Sequence, residues 1–237
     1  MKSFLKANRR RIEEELEGSE RWKYFSPAIL YQYRVTLPMA KRFVRGQLID
    51  LGCGRMPYRA ALLPLVEDYD GLDPFPRSDQ VRYTCSMTDM TEVPDASYDS
   101  AICLEVLEHV PDPAAALRET ARILKPGGWL VLSVPHLSRL HDEPHDYFRY
   151  TRHGLCRLLE SSGFEVVELQ VKGGLFGFLS HQFSTLLLTT VWGVPLLRDL
   201  DYALNAWLVT RPAVFLDRHL DRGGLFALGY AAAARKR

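Results

Sequence analysis

The sequence predicts an α/β protein with a mostly parallel sheet, helices on both faces, and a helical insertion before the last strand. Three observations predict it. From residue 47 onward, short apolar runs alternate with segments of helical periodicity, the pattern of strands joined by helical crossovers. A carboxylate and two glycines, Asp50-Leu51-Gly52-Cys53-Gly54, stand directly behind the first apolar run. Residues 173–197 then contain no Asp, Glu, Lys or Arg. At 237 residues with 47% hydrophobic content, the chain buries one substantial core with an elaboration rather than two full domains. Four segments follow: an N-terminal helical segment (1–45), a ligand-binding core (46–172), an apolar helical insertion (173–223), and a last strand with its tail (224–237).

Residues 1–45 hold 11 Lys/Arg against 5 Asp/Glu, whereas the remainder holds 19 against 24. A helix from Ala7 to Glu17 sets Arg9-Arg10-Arg11 opposite Glu13-Glu14-Glu15 at helical spacing, which reads as a solvated face. The acidic remainder lacks the basic surface that phosphate contacts demand, so nucleic acid is excluded as substrate. The basic N-terminus leaves contact with a membrane surface or an acidic partner open. The first strand is Gln47–Leu51, and its glycine turn lets backbone approach a ligand with no Cβ in the way. A helix is expected directly after, offering unpaired N–H groups. Pro57 occupies the third glycine position of G-x-G-x-x-G, which argues against a pyrophosphate and, with Asp50 opening the turn, for a cationic ligand.

The second strand spans 69–72 and ends in Asp73, an acid placed to accept both hydroxyls of a ribose; Asp70 is the other acid available. Asp89-Met90 precede a loop, where Asp89 also suits a turn cap. A buried strand over 99–104 then runs into Glu105-Val106-Leu107-Glu108-His109-Val110-Pro111. Pro113 opens a helix to Leu124, and Lys125-Pro126-Gly127-Gly128 stops it before a strand at 129–134. Thr151–Ser161 is helical and closed by Gly163, residues 164–169 alternate as a strand, and a last strand is expected at 225–232.

In this order the motifs resemble those of the class I S-adenosylmethionine (SAM) dependent methyltransferases, in particular the subgroup of ubiquinone-pathway O-methyltransferases. The resemblance covers residues 45–170 and resumes at the last strand. It implies a Rossmann-like sheet and SAM as cofactor, with Asp50, Gly52, Cys53 and Gly54 around the methionine part, Asp73 at the ribose, and Asp89 with Met90 at the adenine. Leu104 and Glu105 would floor the methyl-transfer site. The implied activity is methyl transfer, with O-methylation favoured, and the apolar insertion points to a small apolar or lipid-linked acceptor. N- or C-methylation of a soluble metabolite and a SAM-fold scaffold subunit are the other readings. Leu104-Glu105-Val106-Leu107 stands where base N-methyltransferases carry Asn/Asp-Pro-Pro-Tyr/Phe, which argues against adenine methylation.

Methyl transfer from a sulfonium is an in-line displacement, so a hydroxyl acceptor needs alignment and a base. Histidines crowd the region after the fifth strand: His136, then His141, Asp142, Glu143, His145 and Asp146. His145 is the first candidate base, with Asp146 expected to orient it, and its alternative role is to buttress the following helix. His109 is a further catalytic candidate. Arg149 either holds an anionic group on the acceptor or pins Asp146. Glu105-x-x-Glu108-His109 resembles the metal-binding motif of some O-methyltransferases, including plant small-RNA 2′-O-methyltransferases, with His136, His141 or His145 as a further ligand. The same residues also suit a turn before Pro111, and no metal is assigned.

The uncharged stretch and the following Leu204–Leu216 contain Phe176, Phe178, Phe183, Trp192, Trp207 and Phe215. Interruption by Ser, Thr, Gly193 and Pro195 argues against a membrane span, leaving a lid, a partner surface or a peripheral membrane surface. Cys53, Cys85, Cys103 and Cys156 show no CxxC spacing, and no apolar leader opens the chain, so a reduced, cytoplasmic protein with possible membrane association is expected.

Overall fold

The computed structural model describes residues 2–16, 19–221 and 223–237. Its strands are β1 (Gln47–Leu51), β2 (Asp68–Leu72), β3 (Val81–Tyr83), β4 (Tyr98–Leu104), β5 (Leu124–Pro135), β6 (Phe164–Lys172) and β7 (Gly229–Lys236). Its helices are α1 (Lys2–Leu16), α2 (Pro27–Tyr31), α3 (Leu37–Phe43), α4 (Arg59–Leu62), α5 (Pro113–Ile123), α6 (Arg152–Ser161), α7 (Leu175–Val191), α8 (Pro195–Leu204) and α9 (Arg211–Leu220). The chain divides into two compact units: Val35–Gln170 with Gly229–Arg237, and Met1–Arg34 with Val171–Leu228.

The strands form one sheet in the order β3-β2-β1-β4-β5-β7-β6. Pairing is parallel from β3 through β5, and β7 runs antiparallel to β5. Parallel strands are covered on both faces, which is why β1 and β4 are near-continuous apolar runs with Leu48, Ile49, Ala101 and Ile102 fully buried. β1 lies between β2 and β4, so the strand order reverses beside it and leaves a crevice at the carboxyl ends of those strands. The caps follow the sequence. Asp112 accepts the Ala115 amide at 2.9 Å ahead of Pro113, and Thr151 accepts the Gly154 amide at 3.1 Å.

Three elements depart from expectation. No helix follows the glycine turn directly: Met56 takes φ +56°, and α4 is only four residues long, with Pro57 before it and Pro64 after it. β5 begins at Leu124 rather than 129, because a register shift between Tyr98 and Ser100 absorbs the Lys-Pro-Gly-Gly turn. β7 starts at Gly229 rather than 225, since a turn at 225–226 delays pairing until Gly229 meets Pro135. Its alanines 231–234 are fully buried, and small side chains there let Met39, Ala40 and Val44 pack against Ala231, Ala233 and Val131.

In the other unit, Ile12, Leu16, Phe25, Leu188 and Trp192 share a core, so α1 packs against a helix more than 170 residues away in sequence. The N-terminus of α7 has glycine as its cap, and a helix start leaves its first amides without partners. Two aspartates of the α9 region supply what Gly174 lacks. Asp217 accepts the amides of Gly174, Phe176 and Gly177 at 2.8–2.9 Å and the Tyr31 hydroxyl at 2.8 Å, while Asp221 accepts the Leu175 amide at 2.7 Å. A Cβ on Gly174 would stand 2.6 Å from Asp221 Oδ2, so the cap position must be glycine for these carboxylates to close on it. Burial, then the carboxylate of Asp217, push the Tyr31 phenol far above its ordinary value. Asp217→Ala is expected to lower unfolding free energy by about 2–4 kcal/mol, because it strands several buried donors at once. Urea denaturation followed by circular dichroism reads this, and a loss below about 0.5 kcal/mol would contradict the capping account.

Candidate active site

The turn after β1 is fastened to the end of β2. Leu72 O accepts the amides of Gly52 at 2.7 Å and Cys53 at 3.2 Å, and Asp73 Oδ2 accepts the Gly54 amide at 2.9 Å. Asp73 Oδ1 takes the Phe75 amide at 2.8 Å, and each carboxylate oxygen keeps a further lone pair for a ligand. Gly52 has φ +71°, and a Cβ there would lie 2.3 Å from Val106 Cγ1, so the segment after β4 closes directly on the turn. Asp50 is 3% exposed and receives the Tyr69 hydroxyl at 2.6 Å. Burial pushes its carboxyl up to about 7, against the stabilising Tyr69 bond and with Asp73 adding repulsion. Burial and the same two acids push the Cys53 thiol up to about 12, so Cys53 is a packed, protonated thiol.

Asp73 rather than Asp70 is available at the strand end. Asp70 is buried and engaged by Arg82 Nη1 at 2.7 Å and the Tyr98 hydroxyl at 2.6 Å. Met90 is fully buried and Asp89 exposed, and their loop is strung on Arg122, which donates to the carbonyls of Met90 at 2.7 Å and Val93 at 2.9 Å and to Asp95. At the end of β4 Leu104 is buried, and the next residue, Glu105, takes φ +57° with its amide on Ser133 O at 2.9 Å. A non-glycine residue held left-handed is strained, and such strain concentrates at functional sites.

The histidine-rich loop folds back on the short helix Leu107–His109. Glu108 O accepts the amides of Tyr147 and Phe148, and His145 O lies 2.8 Å from His109 Nδ1. A carbonyl only accepts, so Nδ1 carries the proton and His109 Nε2 presents its lone pair. Glu108 is fully buried, and neither carboxylate oxygen has a hydrogen-bond partner; Oε1 lies 3.7 Å from Nε2 of both His109 and His141. Burial raises the Glu108 carboxyl above its usual range. His141 is also raised, because the Glu108 and Asp146 carboxylates outweigh the downward pull of burial.

The expected pairing of Asp146 with His145 is corrected. Asp146 accepts the His141 amide at 2.8 Å and lies 3.6 Å from its Nδ1, while Arg149 clamps both of its oxygens at 2.5 and 2.7 Å. Against the upward push of burial, those donors hold the Asp146 carboxyl at about 2. Arg149 is thus the pin of Asp146. His145 is exposed, with Nδ1 2.9 Å from the Tyr147 hydroxyl, and His136 stands apart beside Tyr230. His141 was one of three interchangeable histidines in the sequence, and its three-dimensional partnership with Glu108 has no periodic signal.

Gly52 and Gly54 separate two costs. Gly52→Ala is expected to lose about 2–4 kcal/mol of stability, because it adds a clash with Val106 to left-handed strain. Gly54→Ala, with open space around its Cβ position, is expected to lose only about 1 kcal/mol. Equal losses in urea titrations of the two variants would contradict this packing of the turn.

A family model described as a methyltransferase domain matches residues 30–169. The ubiquinone biosynthesis O-methyltransferase of Xanthomonas campestris pv. campestris is 36% identical over 114 residues, covering 43% of this chain and 45% of the relative. The chain thus spans less than half the length of this curated relative. Among solved structures, the complex between the Haloferax volcanii Trm112 methyltransferase activator and a methyltransferase matches with TM-score 0.60 at 19% identity, over 98% of this chain and 96% of that one. The [4+2]-cyclase SpnF matches with TM-score 0.59 at 20% identity, over 86% and 80%. At such identities the structures speak for the fold alone. With the domain match spanning more than half its length and the glycine turn, strand-end acid and sheet order in place, the chain belongs to the methyltransferase-domain family and has the class I, SAM-dependent core.

Proposed function

We propose that this chain transfers the methyl group of SAM to the oxygen of a small apolar or lipid-linked acceptor. The observation that carries the acceptor class is the apolar surface of the helical unit. Leu179, Phe183 and Leu186 are exposed along α7, and Leu197, Leu200 and Leu204 along α8, continuing into Trp207 and Leu208. The spacing puts each set on one helical face, and exposed apolar helix faces of this kind serve as contact surfaces. Among the described residues no helix is long and apolar enough to cross a membrane, so the reading is peripheral contact with an apolar phase. The relatives named ubiquinone biosynthesis O-methyltransferases favour oxygen as the acceptor atom.

In this reading Asp50, Gly52, Cys53 and Gly54 surround the methionine part of SAM, Asp73 accepts the ribose hydroxyls with its spare lone pairs, and Asp89 with Met90 flank the adenine. Leu104 and Glu105 lie beneath the transferring methyl. His145 takes the acceptor proton through Nε2, its Nδ1 being engaged by Tyr147. Asp146 acts on His141 and, through Arg149, on the loop. The bond formed is acceptor O–CH₃, the bond broken is S–CH₃, and S-adenosylhomocysteine leaves with the sulfur electron pair.

Asp50 gives this reading a pH signature. Its carboxyl titrates at about 7 in the fold, and an ammonium favours the ionised form, so SAM binding releases a proton below that value. Affinity is expected to hold above pH 7 and to fall by about tenfold per pH unit below it, whereas Asp50→Asn binds weakly with no such slope; a flat profile in the wild-type chain would remove Asp50 from the cofactor site. For the acceptor, incubation of methyl-labelled SAM with host extract should send label into the organic phase, and His145→Ala should slow this by about 10²- to 10⁴-fold with SAM affinity intact. Label confined to the aqueous phase would favour a soluble metabolite instead.

A further inference from the structure

We infer that Glu119 and Arg122 of α5 are positioning residues for the nucleobase of the cofactor, holding Asp89 where it selects a 6-aminopurine. The inference rests on the methyl-transfer reading, which puts Asp89 and Met90 at the adenine. Both side chains grip the backbone of Met90. Glu119 Oε2 accepts the Met90 amide at 3.2 Å, and Arg122 Nη2 donates to the Met90 carbonyl at 2.7 Å. That carbonyl also accepts the Val93 amide at 2.9 Å, so the donor and both lone pairs of the Met90 backbone are taken. The Asp89 amide is on Ser86 O at 3.0 Å. Hydrogen bonding to the nucleobase then falls to the exposed Asp89 carboxylate.

The two grips are themselves joined. Arg122 Nε and Nη2 meet Glu119 Oε1 and Oε2 at 3.0 and 2.8 Å, a bidentate pair that orients both groups before any ligand arrives. Arg122 holds the Glu119 carboxyl below its usual range, so the acceptor of the Met90 amide stays ionised. The helix that carries the pair is firmly seated, with Ala116, Leu117, Thr120 and Ile123 buried. Its carboxyl end accepts the Ala96 and Ser97 amides at 3.0 and 2.9 Å, and Arg122 Nη1 reaches Val93 O at 2.9 Å. Asp89 thus projects from a loop tied to one helix at residues 90, 93, 96 and 97. Such ties matter because displacing a site group by about 1 Å costs on the order of 10²-fold. Held in place, a carboxylate accepts from the 6-amino group of adenine and repels the 6-oxo group of hypoxanthine.

The test compares binding of S-adenosylhomocysteine and S-inosylhomocysteine to the full chain by calorimetry. The wild-type chain is expected to prefer the adenosyl ligand by about 10- to 100-fold, the worth of one hydrogen bond to a charged group. In Arg122→Met and in Glu119→Ala the preference is expected to drop below about threefold, as that hydrogen bond is lost. Asp95→Ala removes an exposed partner of Arg122 without touching Met90, and is expected to keep the wild-type preference. General loosening of the fold weakens both ligands alike, so the ratio separates positioning from stability. Glu119→Ala, on the flank of a helix that alanine favours, decides the matter if Arg122→Met does not fold. Equal binding of the two ligands by the wild-type chain, or an undiminished preference in folded Glu119→Ala, would overturn the inference and leave the methyl-transfer reading standing. A folded wild-type chain that binds neither ligand would remove that reading and the inference with it.

Discussion

Everything at the candidate active site hangs on the fastening of the β1 turn to the end of β2. The Leu72 carbonyl takes two turn amides and the Asp73 carboxylate takes a third, so the loop and the strand-end acid fix each other. Val106 closes on Gly52 from the β4 side, so three strand ends converge at one point. The reversal of strand order beside β1 opens space there, and the parallel sheet supplies a rigid base. Asp50 beneath the turn keeps a raised carboxyl because water is excluded, so it holds a proton that a bound cation can displace.

Much of this was legible in the sequence because the governing interactions are local or periodic. Buried parallel strands write themselves as apolar runs, so β1, β2 and β4 were placed within a residue or so. Gly52 and Gly54 mark positions with φ near +71° and +52° that other residues rarely adopt, Pro113 opens α5, and Gly163, at φ +94°, follows the end of α6. The helix expected after the turn failed for a local reason also in view: Pro57 and Pro64 leave room for a single turn, and Met56 leaves the helical region altogether.

What remained hidden is contact between distant segments. Glu108 and His141 are 33 positions apart, and nothing in either neighbourhood marks them as partners. Asp146 follows His145 in sequence yet serves His141 and Arg149, because backbone direction and not adjacency decides which side chain an acid meets. The joining of residues 1–34 with 171–228, and the use of Asp217 to cap a helix whose own cap is glycine, are equally long-range. Periodicity identifies which face of a helix is apolar and says nothing about which remote helix will cover it.

The most direct test of the account is a calorimetric titration of the wild-type chain with S-adenosylhomocysteine, with NADH as comparator. A turn that lacks the third glycine and is braced by Asp73 predicts one bound S-adenosylhomocysteine per chain and no detectable NADH. Binding of NADH in preference, or of neither ligand by a folded chain, would contradict the assignment of this turn to a sulfur-bearing adenosyl cofactor.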